Sequence, residues 1–472
     1  MVYHYIKNAE RLLSHGDIWQ RSKVLELLEA MWNEVDATTI IPTMMHVEGD
    51  VLYIGTRRWD LTKYGQIYMF GAGKACNAMA MAVGRILGDR LKKGVISVKL
   101  EEETDVYPQQ VEVYVGGHPL PNEQGLKAAR KILDMIDEAN PEDLFISVIS
   151  GGSSALLTCP VEGITLEDEI TAQDILLRSG AKIGEINAVR RHISQTNGGR
   201  LAQKIREKGA ELINLIVDDG VGELPQKDRN VPVAYSATPI AADDTTLADA
   251  RACIVNYGLK DKLPQNIVQY LWSAGPQCET PKRTDEKVTH FVLNSVPESC
   301  TAAVQASRRM GISSVVLTTF LEGEAREAGT FLGTLAREIQ ANGRPVEAPC
   351  FVFCSGETTT KVEHSAGTGG PGHEFAMGFA MEARNVPGAV LASVDTEGTD
   401  GTTKYAGGLA DSQTVSELLE AGYDYYEVLR EHMAGDALAD TGNSIYTGNT
   451  GTNLCDFNVM YVPCRAEVEN GK

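Results

Sequence analysis

Apolar positions along this chain follow two spacings, and the switches between them mark out its elements. In residues 21–35, Val24, Leu27, Leu28, Met31 and Val35 recur every three or four positions, which predicts an N-terminal helix. Short apolar runs bounded by turn residues then read as strands at 51–54, 66–70, 94–100, 111–115, 144–149 and 212–217. Helical patterns separate them: an Ala/Met-rich stretch to about Gly88, then 122–136, 181–194 and a run from Gly199. Such alternation predicts an α/β fold with a doubly wound parallel sheet. Residues 225–244 carry little regular pattern, and helices are expected from Thr245 and Asn266.

The polar run TPKRTDEK at 280–287 predicts a domain boundary, giving residues 1–285 and 286–472. Beyond it a second series of strands and helices is expected. Its strands read at 291–293, 313–317, 350–354, 390–394 and 458–462, with helices from Cys300, Ala325 and near His373.

Composition narrows what the chain does. At 472 residues it exceeds one comfortable core, in keeping with two domains. A net charge of −21 argues against nucleic acid or an anionic membrane as the main partner. An anionic substrate must therefore be attracted locally, by loops and a few placed cations. The opening MVYHYIKNAERLL lacks a basic segment followed by an apolar core, and no apolar run approaches the roughly 20 residues that span a bilayer. The nine cysteines form no CxxC pair, so reduced thiols and a cytoplasmic location are expected.

Glycine-rich loops follow several strands. LFISVISGGSSALL at 144–157 runs from a strand through Gly151 and Gly152 to Ser153 and Ser154. If a serine there starts a helix, unpaired N–H groups face the loop and make an anion site; a plain turn is the alternative. Gly71 and Gly73 precede Lys74, where a compact ammonium suits a phosphate or carboxylate, and a solvated lysine is the alternative. The third glycine of a dinucleotide fingerprint would fall on Cys76, and the spacing is not that of a P-loop. Asp219 follows a buried strand as a candidate general base or magnesium ligand, or a turn carboxylate. Asp395, Glu397 and Asp400 form a second acidic loop, open to magnesium or to an Asx turn. Asn187, Arg190 and Arg191 share or adjoin one helix face and could fork a carboxylate; His192 reads as a satisfied hydrogen bonder. The loop at 367–372, rich in glycine through Gly369 and Gly370, reads as a further anion cradle.

Taken in order, these motifs resemble the glycerate 2-kinase family, the type with a C-terminal MOFRL domain. The match runs from about Ile67 to Val462 through FGAGKA at 70–75, GGHPLP at 116–121, SGGSSALL at 150–157, NAVRRHIS at 187–194 and GGRLA at 198–202. SGETTT at 355–360, DTEGTDG at 395–401 and TGNTGTN at 447–453 continue it. The resemblance implies a doubly wound N-terminal domain, a smaller C-terminal α/β domain, and an active site in the cleft between them. There ATP, with Mg2+, meets a small hydroxy acid such as D-glycerate.

It implies Lys74 and Asp219 as catalytic residues, with Ser153, Ser154, Asn187, Arg190 and Arg191 toward the substrate. Gly71, Gly73, Gly151, Gly152, Gly369, Gly370, Glu357, Thr399, Asp400 and Asn453 would face the nucleotide, and Asp219 and Asp395 the metal. A homodimer is compatible with it. The chain departs from the family in three places. DDGVGE stands at 218–223 for SDVVGD and SATP at 236–239 for SGPT. At 369–374, GGPGHE replaces GGRNQE, so Pro371 stands where the family's cleft arginine is expected. Because family members have also been labelled hydroxypyruvate reductases, an oxidoreductase is the alternative activity. A non-catalytic binding protein descended from the kinase is another.

Overall fold

The computed structural model describes residues 2–222, 228–233, 239–283, 285–362 and 365–469. Glu223 and the Ser236–Thr238 part of the SATP motif lie outside them. Two compact units emerge: Ile40–Asp218 with Lys227–Leu293, and Met1–Thr39 with Asp219–Gln226 and Asn294–Lys472.

The first unit is built on a six-stranded sheet ordered Val111–Val115, Leu91–Val98, Ile67–Ala72, Leu144–Ser150, Glu211–Val217, Val288–Asn294. The first five strands pair in parallel, as the strand–helix alternation predicts. Every residue of Leu144–Ser150 is buried, which suits a central strand covered on both faces. The segment at 51–54 does not join this sheet. It forms a small antiparallel meander with Met45–Glu48 and Arg57–Asp60, because Gly49 and Gly55 adopt the positive φ that tight hairpin turns require. The strand expected at 291–293 is longer, Val288–Asn294, and closes the first sheet instead of opening a second series.

The second unit carries a mixed sheet ordered Ser313–Glu324, Cys350–Thr359, Asp456–Val462, Val390–Asp395, Gly407–Ala410, Ser444–Ile445. Only its first pair is parallel; the other four are antiparallel. The helices Ala325–Asn342 and Pro371–Ala383 bury Leu332, Ile339, Phe375 and Phe379 in its core.

The units do not follow the division expected at 285/286, since the N-terminal residues fold with the C-terminal sheet. The reason is the predicted helix, here Ile18–Val35. Its apolar stripe packs against Val296–Arg309, and Trp32 Nε1 donates to Thr396 O at 3.0 Å. Arg21, with no exposed surface, donates through Nε to Asp411 Oδ2 at 2.5 Å and through Nη2 to Asn443 Oδ1 at 2.8 Å. A polar loop is a weaker boundary signal than an amphipathic face that needs covering.

Candidate active site

Two neighbouring strands of the parallel sheet, Ile67–Ala72 and Leu144–Ser150, release their loops side by side. The sheet order reverses between them, one connection leading toward Leu91–Val98 and the other toward Glu211–Val217. Doubly wound sheets bind ligands at such a point, beyond the carboxyl ends of the strands. Lys74 N donates to Gly151 O at 3.0 Å and Ala75 N to Ser150 Oγ at 2.9 Å, so the two loops are tied together. Gly73 has φ +135°, and a Cβ there would lie 2.1 Å from Ser150 Oγ; the tie requires glycine. Gly152 has φ +82°, and a Cβ on it would lie 3.0 Å from His118 Cδ2 and 3.3 Å from Lys74 Cγ. An imidazole and the lysine stem therefore both close on this glycine. Among the described residues, the N–H groups of Gly151 and Gly152 donate no hydrogen bond.

The helix expected after Ser154 is a single turn, Ser153–Leu156, too short for a useful dipole. The longer helix at this edge is Cys76–Leu87, whose amino end follows Lys74. His118, in the GGHPLP motif, gives no sequence signal of a role, since a histidine between glycine and proline has no spacing that betrays its neighbours. Its place against Gly152 becomes visible only when the sheet is assembled.

The basic helix is Ile183–His192. Arg191 donates to Asp243 Oδ1 at 2.7 Å and Asp244 Oδ1 at 3.4 Å, so its charge is spent locally and the expected carboxylate fork is not formed by both arginines. Arg190 makes no hydrogen bond among the described residues, and its Nε is buried. Burial lowers its pKa while Glu169 acts against that. Asn187 is half-buried on the same helix. His192 is satisfied, between Ala188 O at 2.7 Å and Glu279 Oε1 at 2.5 Å, as its sequence reading has it.

In the mixed-sheet unit, Asp219 Oδ2 accepts from Asn453 Nδ2 at 2.9 Å, and its carbonyl accepts from Cys455 Sγ at 3.1 Å. Asn453, read as nucleotide-binding, thus holds the candidate base. Burial, and after it the charges of Asp219, Glu357, Asp395 and Asp456, push the Cys455 thiol far up, so four carboxylates bear on one point. Burial also raises Asp456 to about 7 although Thr358 donates to it twice. Hard oxygen donors of this kind suit magnesium. Among the described residues, no three His, Cys, Asp or Glu side chains are grouped to hold a metal. A magnesium ion carried on phosphates needs only one or two carboxylates, so Asp219 and Asp395 fit that use.

Most donors of the loop at 367–372 are taken up within the protein. Thr368 N donates to Asp436 Oδ2 at 2.6 Å, Gly369 N to Thr402 Oγ1 at 3.3 Å, and Gly372 N and His373 N to Asp400 at 3.0 and 2.9 Å. His373 Nδ1 adds a third contact to Asp400 at 2.5 Å. Asp400 is buried and caps the helix that Pro371 opens, a position where a missing N–H costs nothing. The N–H of Gly370 donates no hydrogen bond among the described residues, while Asp400 thus has a capping role. Thr399 is similarly engaged, its hydroxyl donating to Glu397 Oε1 at 2.7 Å.

Comparison with known proteins gives this arrangement its context. Residues 23–272 match a family model described as a domain of unknown function, DUF4147, and residues 350–456 match the MOFRL family. A glycerate 2-kinase of Pyrococcus horikoshii is 35% identical over 432 residues, 91% of this chain and 94% of that protein. The chain belongs to the glycerate 2-kinase family. A crystal structure of glycerate kinase from Thermotoga maritima superposes with a TM-score of 0.74 at 29% identity, covering 95% of this chain and 100% of that one. A putative hydroxypyruvate reductase of Agrobacterium vitis, 32% identical over 94% of this chain and 100% of its own, is a relative as well. Within this family the GGPGHE departure is now explained locally: Pro371 starts a helix whose cap is Asp400. Of the cations that could replace the expected arginine, Arg191 is held by Asp243 and Lys404 lies over the rings of Tyr405 and Tyr446. Arg190 is the one left without a hydrogen bond among the described residues.

Proposed function

We propose that this chain is an ATP-dependent kinase that transfers the γ-phosphoryl group to the secondary hydroxyl of a small hydroxy acid. With D-glycerate the product is 2-phosphoglycerate; a related larger acid is the other candidate, because Pro371 leaves a smaller side chain than arginine would. The observation that carries the reading is Lys74 beside the open N–H groups of Gly151 and Gly152 at the reversal point of the sheet. Phosphoryl transfer needs chiefly positioning and charge stabilisation. Backbone donors and the Lys74 ammonium offer both, with Ser153 and Ser154 on the same loop. Arg190, with Asn187 on its helix, takes the acid's carboxylate. Asp219, oriented by Asn453, accepts the hydroxyl proton or holds magnesium with Asp395, and Glu357 lies in the same group of carboxylates. Bound magnesium would neutralise charge on the phosphates.

The nine free cysteines support a cytoplasmic location, and no helix among the described residues is long and apolar enough to cross a membrane. A nicotinamide-dependent reduction lacks comparable support. Cys76, where the third glycine would be needed, is a buried thiol.

The test is kcat/KM with ATP and magnesium across D-glycerate, four- and five-carbon hydroxy acids and uncharged polyols. Turnover of a hydroxy acid above the polyols supports the reading, and equal or no turnover rejects it. Within that assay Asp219→Asn should lose on the order of 100-fold or more in kcat, and Asp218→Asn far less. Equal losses would mean that the loop acts as a charge cluster.

A further inference from the structure

We propose that His118 is a further binding residue for the transferred phosphoryl group. Its imidazole donates a hydrogen bond to the anion that Lys74 and the N–H groups of Gly151 and Gly152 hold. The proposal rests on the kinase reading above and gives a role to a side chain that this reading does not use.

The loop at 116–121 is fixed before it reaches the site. It leaves the strand Val111–Val115 with Gly116 N donating to Val98 O at 2.9 Å. A Cβ on Gly116 would lie 2.6 Å from Ser97 Oγ and 3.0 Å from Leu156 O, two atoms joined to each other by a hydrogen bond of 2.5 Å. Only glycine fits between the neighbouring strand and the turn Ser153–Leu156. At the far end Asn122 caps the helix Glu123–Asp137, its Oδ1 accepting from Gln124 N and Gly125 N. Its Nδ2 donates back to Val115 O at 3.2 Å. Both ends of the loop are therefore tied to the sheet, and His118 is carried on a short anchored arch. A side chain held in this way keeps the geometry that a contact to reacting atoms needs.

The half-buried ring meets Gly152 with its edge. A Cβ built on Gly152 would lie 3.0 Å from His118 Cδ2 and 3.2 Å from Nε2, so a ring nitrogen belongs to the nearest edge. The same Cβ would lie 3.3 Å from Lys74 Cγ, so imidazole and lysine stem flank one backbone position. Three loops meet there, released by the strands Ile67–Ala72, Val111–Val115 and Leu144–Ser150. They bring three kinds of donor: an ammonium, an imidazole and backbone N–H groups. An imidazole offers an N–H whether neutral or charged. A transferring phosphoryl group spreads its charge over three equatorial oxygens, so donors from three directions match it better than one cation.

A ring that only wedges the glycine loop would need its shape and not its nitrogens, and substitution separates the two roles. The experiment measures kcat, KM for ATP and melting temperature for wild type, His118→Phe and His118→Gln, with magnesium and the hydroxy acid turned over fastest in the assay above. Phenylalanine keeps a flat ring against Gly152 without nitrogens, and glutamine keeps an N–H donor without the ring. His118→Phe should lose on the order of 100-fold in kcat at an unchanged melting temperature, while His118→Gln stays within about tenfold of wild type. An active wild type matched by His118→Phe, or a His118→Gln as impaired as His118→Phe, would overturn the role of His118 and leave the kinase reading standing. Losses of kcat that track the melting temperature across the two variants would make the ring a wedge and overturn it as well. A wild type that phosphorylates no hydroxy acid would reject the kinase reading and this proposal with it.

Discussion

Two glycine loops of this protein look alike in sequence and do opposite things. The loop at 150–154 follows a central parallel strand, and the N–H groups of Gly151 and Gly152 point to no partner among the described residues. The loop at 367–372 precedes a 13-residue helix, and the N–H groups of Thr368, Gly369 and Gly372 go to Asp436, Thr402 and Asp400, leaving only that of Gly370 without a hydrogen bond among the described residues. The first is equipped to take an anion from solution, while the second already contains one. The lesson is that a glycine loop before a helix becomes a ligand site only when the protein has not supplied its own carboxylate.

Four substitutions put this contrast to the test. The largest effect is expected from Lys74→Met, with kcat reduced roughly 100- to 1000-fold and the melting temperature unchanged, because a transition-state cation is lost and no core contact. Near-normal turnover would make Lys74 a surface residue. The next distinguishes the units by pH. Burial lowers His290 from 6.5 to about 4 in the parallel-sheet unit, where it meets Asn214 Nδ2 at 3.1 Å. A depressed histidine contributes stability that is complete above its unfolded pKa and is lost as pH falls from 6.5 through about 4, roughly 3 kcal/mol in all. Urea unfolding of wild type and His290→Gln at pH 7 and pH 4.5 checks this: the variant's stability should fall less.

A smaller effect, about 2 kcal/mol, is expected from Asp400→Ala, which strips the cap from two backbone donors and from His373. The melting temperature should drop while KM for ATP holds. A raised KM at unchanged stability would return the 367–372 loop to the nucleotide. The smallest is Gly152→Ala, about 1 kcal/mol in stability from the positive φ, accompanied by a higher KM because the added methyl presses on His118 and Lys74. Unchanged KM would place the ligand elsewhere.

Much of this was legible in the chain. The strand–helix alternation gave the parallel sheet, and a short apolar run before Gly151 located its central strand. What escaped depends on contacts between distant segments. The pairing of Ile18–Val35 with the C-terminal sheet rests on Arg21 meeting Asp411, 390 positions away. The capping of Pro371–Ala383 by Asp400 joins two loops that sequence reading treated as separate anion and metal sites. His118 gave no periodic signal because its neighbours Gly152 and Lys74 come from two other strand ends. Spacing reports on local structure, and these three are tertiary.

The central claim is transfer of phosphate to a hydroxy acid by the parallel-sheet loops. It is tested most directly by a single-turnover quench of the enzyme with γ-labelled ATP, magnesium and D-glycerate, run beside Lys74→Met. The account predicts label on the secondary hydroxyl of the acid at a rate in the range of roughly 1–100 s−1 for wild type, and almost none for the variant. Label that stays on ATP in wild type, or moves equally well in Lys74→Met, would contradict it.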